Sequence, residues 1–131
     1  MRSIFVYYQG IPLKDIREIM MRRYGPSSKS EYDFEVQDEF GRWGLGYVTS
    51  EFEDHEEDEL DTICNALEGD LTALVVVDVT GTRKCLDNAV EFVTEAFEYG
   101  KAVAQDDYSP FLWTRESISK STESGKSFFQ P

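Results

Sequence analysis

Residues 71–79 read Leu-Thr-Ala-Leu-Val-Val-Val-Asp-Val, LTALVVVDV. Apolar side chains fill odd and even positions alike, so no polar face alternates with an apolar one. A β-branched run of this length reads as a strand, and one that is apolar on both faces belongs inside a sheet. Gly81 breaks it. The rest of the chain has to supply that strand's neighbours and its cover.

Upstream, Arg2 to Tyr8 (RSIFVYY) is β-branched and aromatic and reads as a first strand. Gly10 and Pro12 turn the chain, and Leu13, Ile16, Ile19, Met20 and Tyr24 then recur at helical spacing. Lys14, Arg17, Arg22 and Arg23 make this the one strongly basic helix, and Gly25-Pro26 stops it. In EYDFEVQDEF, Tyr32, Phe34 and Val36 alternate with Asp33, Glu35 and Gln37, the pattern of a half-exposed strand. Gly41 turns into WGLGYVTSEF, where Trp43, Leu45 and Tyr47 alternate and Gly44 and Gly46 share the other face. The two runs form a hairpin, and the paired glycines mark a bulge or a close backbone approach. Leu60, Ile63, Cys64 and Leu67 stripe a second helix, ended by Gly69.

Downstream, Leu86, Ala89, Val90, Val93, Ala96 and Phe97 predict a third helix stopped by Gly100. KAVAQDDY predicts a fifth strand ending in acids, and Thr114 the N-cap of a short last helix. The expected class is α+β: a ferredoxin-like βαββαβ core with a mostly antiparallel sheet and helices packed on one face, extended by a further helix and strand. Residues 1–118 form a single domain and residues 119–131 a C-terminal tail of loop composition.

The chain of 131 residues carries 26 Asp and Glu against 13 Lys and Arg, a formal charge of −13. That balance argues against nucleic acid or an anionic membrane as the partner. It favours solubility and fast capture of something basic. No apolar stretch is long enough to span a bilayer, and the N-terminal apolar stretch is too short for a signal peptide, so a cytoplasmic protein is expected. Cys64 and Cys85 lack the spacing of a redox or zinc motif and read as free thiols on helices.

Seven of the ten residues in EFEDHEEDEL, Glu51 to Leu60, are carboxylates, and they surround the chain's one histidine, His55. An EF-hand would need acids at alternating positions, a central glycine and a distant Glu, and the run has no glycine. Neighbouring carboxylates favour the charged imidazolium, a poor base, so His55 reads as a pH-sensitive passenger. Asp54 and Glu57 have capping-box spacing, and acids suit the first turn of a helix. Capping uses one or two carboxylates; the rest repel one another unless a positive partner meets them. No GxSxG, P-loop or GxGxxG is present, and no cofactor or metal is expected. A second acidic group, Asp78, Asp106 and Asp107, could converge as a metal or acid/base site if the two strands lie side by side in parallel; otherwise Asp106 and Asp107 cap turn amides before Pro110. Trp43 and Trp113 suit packing, or, beside acids, an interface anchor.

LTALVVVDVTG, a helix, and then AVAQDDYSPFLWTRESI resemble bacterial toxin-immunity proteins, the small cytosolic antidotes of contact-dependent growth inhibition and related polymorphic toxin systems. The similarity lies in residues 75–81 and 104–118, with the βαββαβ order ahead of them, and spans about half of the chain. It implies a non-enzymatic protein that binds and blocks one cognate toxin domain, commonly a nuclease. It carries over no site residues, because toxin-facing positions differ between members. A toxin that grips phosphate is basic, and an acidic inhibitor meets it by charge. The expected partner surface comprises Glu51, Glu53, Asp54, Glu56, Glu57 and Asp58, with Asp106, Asp107 and Trp113. The free protein is expected to be a monomer or weak dimer. A metal-dependent enzyme or regulator built on Asp78, Asp106 and Asp107, and a self-associating ferredoxin-like module pairing through an open sheet edge, are the alternatives.

Overall fold

The strand Leu71–Val79 lies in the interior of a six-stranded antiparallel sheet. The computed structural model describes residues 2–38, 41–52, 55–79, 85–106 and 109–123. In chain order these form β1 (Arg2–Gln9), α1 (Leu13–Tyr24), β2 (Phe34–Asp38), β3 (Gly41–Thr49), α2 (Glu57–Leu67), β4 (Leu71–Val79), α3 (Cys85–Ala96), β5 (Lys101–Asp106), β6 (Ser109–Trp113) and α4 (Arg115–Glu123). The spatial order is β2-β3-β4-β1-β5-β6.

That order corrects the ferredoxin-like expectation. β4 sits between β3 and β1, and all five pairings are antiparallel. The split βαβ unit is β4-α3-β5, two strands of like direction straddling β1. The fifth strand is therefore no appendage, and the sheet ends instead in β6, which the sequence reading missed. Pro110 is the reason: a residue without an N–H weakens a strand pattern and is tolerated on an edge. α4 continues to Glu123, into the stretch expected to be tail.

Helices on one face is also corrected. Ile4, Val6, Tyr8, Val75, Val77 and Ala104 meet Ile16 and Met20 of α1, Phe92, Val93 and Ala96 of α3, and Ile118 of α4. On the opposite face, Tyr7, Leu74, Val76 and Val103 meet Ile63 and Leu67 of α2. The physical cause is β4 itself: a strand with valine and leucine on both sides exposes apolar surface unless helices cover both. α2 is one short helix, so it covers only part of its side.

The paired glycines of β3 have the expected cause. A Cβ at Gly44 would lie 2.8 Å from Cγ1 of Val77, and one at Gly46 would overlap the ring of Phe34, which lies flat over the strand. Gly46→Ala is expected to cost about 1–3 kcal/mol through overpacking, measured by urea unfolding. Gly46→Ala with Phe34→Leu should recover part of that loss, since the shorter side chain leaves room. Trp43 departs from the expected alternation. A bulge at Val36/Gln37 leaves it outside the register and turns it into the α1/α3 core, edge-on to Phe92 at 6.3 Å.

Helix ends follow local chemistry, with two corrections. Thr114 caps α4 as expected: its Oγ1 accepts from the Ser117 amide at 3.1 Å while Ser117 Oγ accepts from the Thr114 amide at 2.8 Å, a reciprocal box. α2 begins after Glu56, which makes no side-chain cap, so the Asp54/Glu57 box does not start it. α2 also stops at Leu67, with Glu68 in the left-handed conformation at φ 58°, one residue before the glycine expected to end it. Gly69 still closes the helix, its N–H donating to the Cys64 carbonyl at 3.1 Å, and a Cβ there would meet the side chain of Gln9.

A candidate acidic and aromatic groove

Because α2 covers only part of its face, the remainder is a groove of about 760 Å³. Its floor is sheet. Ser3, Phe5 and Tyr7 alternate along β1, Tyr47 and Thr49 along β3, and Leu74, Val76 and Asp78 along β4. Ser3 and Tyr7 are about 13 Å apart at about 3.3 Å per residue, which sets the length of the groove. Glu51, His55 and Glu59 form a wall, with Gln105 and Leu112 across from them. Among the described lining residues there is no lysine or arginine.

At one end, Asp78 is fixed by neutral donors. Ser3 Oγ donates to its Oδ1 at 2.8 Å and Tyr32 hydroxyl donates to its Oδ2 at 2.9 Å. Accepting the phenol's hydrogen bond is a carboxylate's role, and it holds the Tyr32 pKa above the ordinary value. Tyr32 was expected to follow Phe34 and Val36 into one face. It precedes β2, so the loop is free to carry its ring over Tyr47 at 6.2 Å, on the α2 side.

At the other end, His55 is seated on the sheet. Its backbone N–H closes a turn on Phe52 at 3.0 Å, and its ring packs edge-on against Phe5 and Tyr7. Nε2 lies 2.9 Å from the Tyr7 hydroxyl, which itself donates to Gln105 Oε1 at 3.2 Å. Nδ1 is buried and without a hydrogen-bond partner. His55 is therefore a structural wall of the groove, which corrects its reading as a passenger. The carboxylates around it in sequence dominated that reading, whereas its contacts come from β1, far away in the chain.

Burial raises the Tyr7 pKa, and the charge of Glu59 adds to the rise. Tyr8, buried on the opposite face with its hydroxyl donating to the Ala96 carbonyl at 2.6 Å, is raised for the same first reason, with Tyr99 adding. The native state holds both phenols protonated, while an unfolded chain releases those protons near 10.0. The stability they contribute is complete below that pH and is lost as pH climbs from there through the folded-state values. Each withdraws about 1.4 kcal/mol per pH unit in that window. Alkaline titration followed by tyrosinate absorbance and near-ultraviolet circular dichroism should show late ionisation coinciding with unfolding. Tyr8→Phe should move that unfolding to higher pH. Ionisation of every tyrosine in an intact fold would contradict this.

The expected site residues divide. Glu51 is exposed at the groove mouth. Glu56, Glu57 and Asp58 are exposed at the start of α2, beside Glu59, where the helix N-terminus favours negative charge. Glu53, Asp54 and Asp107 lie outside the described residues. Trp113 is half-buried on β6, edge-on to the exposed ring of Phe111 at 4.8 Å, and so belongs to the sheet edge. Asp106 is 4% exposed at the end of β5. β4 and β5 run in the same direction but are separated by β1. Asp78 stands opposite Ser3 and Asp106 opposite Ile4, neighbouring positions of β1, and both residues line the groove. The side-by-side parallel strands on which a convergent Asp78/Asp106 site depended do not occur, since β1 lies between them, and no metal-sized cluster of His, Cys, Asp or Glu occurs among the described residues.

Four ion pairs occur among the described residues. Arg17 of α1 pairs with Asp33, Arg23 with Glu95, Arg42 with Glu35 and Lys101 with Glu68. Glu51, the acids of α2's first turn and Asp78 have no ion pair among the described residues. Among those residues no helix is long and apolar enough to cross a membrane. No protein-family model matches the chain, and no curated protein or solved structure shows significant similarity to it.

Proposed function

We propose that the chain is an immunity-type inhibitor: a cytoplasmic, non-catalytic protein that binds a basic, nuclease-type toxin domain and covers its active or substrate-binding surface. The observation that carries this reading is the acidic groove on the α2 side, whose described lining holds no cation. The groove is lined by Glu51, Glu59 and Asp78 and, among the described residues, by no lysine or arginine, while Glu57 and Asp58 stand exposed at the start of α2. Such a field accelerates encounter with a basic surface and rejects acidic ones. A nucleophile–base pair is not what the groove presents, since the one imidazole is hydrogen-bonded to Tyr7 and packed on rings. Pro110 on the β6 edge removes a donor that edge-to-edge self-pairing would use, which disfavours a self-associating module.

The test is co-expression with candidate toxin domains encoded by neighbouring genes. Protection of the host, and a purified complex that weakens as salt rises, are the expected results. A toxin that kills equally with and without the chain overturns the reading.

A further inference from the structure

We infer that the groove is an arginine subsite, taking a guanidinium group from the partner between Phe5 and Tyr47 with its fork on Asp78. The inference rests on the reading of a basic partner and names what that partner inserts. The register supplies the geometry. Tyr47 and Phe5 stand directly across from Val76 on its two sides, about 9.6 Å apart over two strand spacings. Asp78 follows Val76 on the same face, one pleat further along β4. A planar cation lying over Val76 is flanked by two aromatic rings and meets a carboxylate end-on.

Three further observations select that occupant. Asp78 is oriented by Ser3 and Tyr32, one neutral donor on each oxygen, which fixes the carboxylate and leaves its charge unneutralised. Each oxygen keeps a lone pair, and a guanidinium fork is the donor that matches both. Glu51 and Glu59 at the mouth add charge, and no lining lysine or arginine competes. The buried Nδ1 of His55, a residue of the same groove, lacks a hydrogen-bond partner, so the wall holds an unsatisfied polar atom. An ammonium satisfies the charge, but it neither stacks on the rings nor bridges both oxygens.

The experiment titrates the intact chain with Nα-acetyl-arginine amide, with the citrulline counterpart and with Nα-acetyl-lysine amide, followed by ¹⁵N–¹H correlation spectra. Arginine should shift the amides of Ser3, Phe5, Tyr47, Val76 and Asp78, citrulline should not, and lysine should bind at least five-fold more weakly (about 1 kcal/mol). Asp78→Asn, whose fold the same spectrum checks, should weaken arginine at least ten-fold. Tyr47→Leu, which keeps apolar bulk, should weaken it several-fold. Shifts confined to residues 56–59, equal affinity for lysine and arginine, or an unchanged Asp78→Asn variant each overturn the inference. Toxin protection without arginine in the groove removes this inference alone. Arginine in the groove without protection supports it and removes the proposed function.

Discussion

Phe92→Ala is expected to destabilise the fold by about 3–5 kcal/mol, the range for truncating a buried aromatic. Phe92 is the shared contact of four elements. Its ring on α3 lies 5.1 Å from Tyr24 of α1, 6.4 Å from Phe34 of β2 and 6.3 Å from Trp43 of β3. Its loss leaves a cavity that none of those rings can fill without leaving another contact. Domains of this size hold only about 5–15 kcal/mol in total, so the variant should stand near its unfolding threshold at body temperature. Urea unfolding measures this, with an unchanged slope against denaturant expected. Phe111→Ala, at a ring 52% exposed on the sheet edge, is the control and should change stability by no more than about 0.5 kcal/mol. A loss under about 1 kcal/mol for Phe92→Ala would mean that α3 does not sit where described.

Asp78→Arg is expected to weaken the toxin complex by about 100-fold or more, near 3 kcal/mol, as for a charged group at the centre of an interface. The substitution replaces the proposed guanidinium acceptor with a guanidinium. Reversal of Glu57 and Asp58 should act differently. Both are exposed at the start of α2, outside the groove, so their loss should slow association and flatten its salt dependence while leaving dissociation nearly unchanged. Stopped-flow association with dissociation chases separates the two effects. Equal effects of the two variants on both rates would remove the distinction between an anchor and a steering charge.

What the chain announces locally is what its folded form keeps. The alternation in Phe34 and Val36, the double-sided run of β4, the crowding at Gly44 and Gly46, and the Thr114 cap each depend on neighbours within a few residues or on the period of one element. Strand order does not. No residue of β3 records that β4 rather than β1 lies beside it, because the pairing is settled by how the whole set of apolar faces is covered. The second helical layer was implied by LTALVVVDV, whose two apolar faces require cover on both sides, yet the stripe Leu60, Ile63, Cys64 and Leu67 looks the same whichever face it meets. The acidic run drew attention to the right region for an incomplete reason. Glu51, Glu57, Asp58 and Glu59 do gather on one side, but the groove they border is made by Ser3, Phe5, Tyr7, Tyr47 and Asp78, residues distant in sequence that read as ordinary strand. His55 illustrates the same limit, since Tyr7, its hydrogen-bond partner, is 48 positions away.

The central claim is that the acidic and aromatic groove is where a basic partner docks. The measurement that bears on it most directly is calorimetric titration of the toxin domain that co-expression identifies, at rising salt, against the wild-type chain and against the Glu51→Gln/Glu59→Gln/Asp78→Asn variant. The account predicts affinity that falls steadily with salt for the wild-type chain, and a folded triple variant that binds at least 100-fold more weakly, about 3 kcal/mol, with a shallower salt slope. A triple variant that binds as tightly as the wild-type chain, or a wild-type complex indifferent to salt, would contradict it.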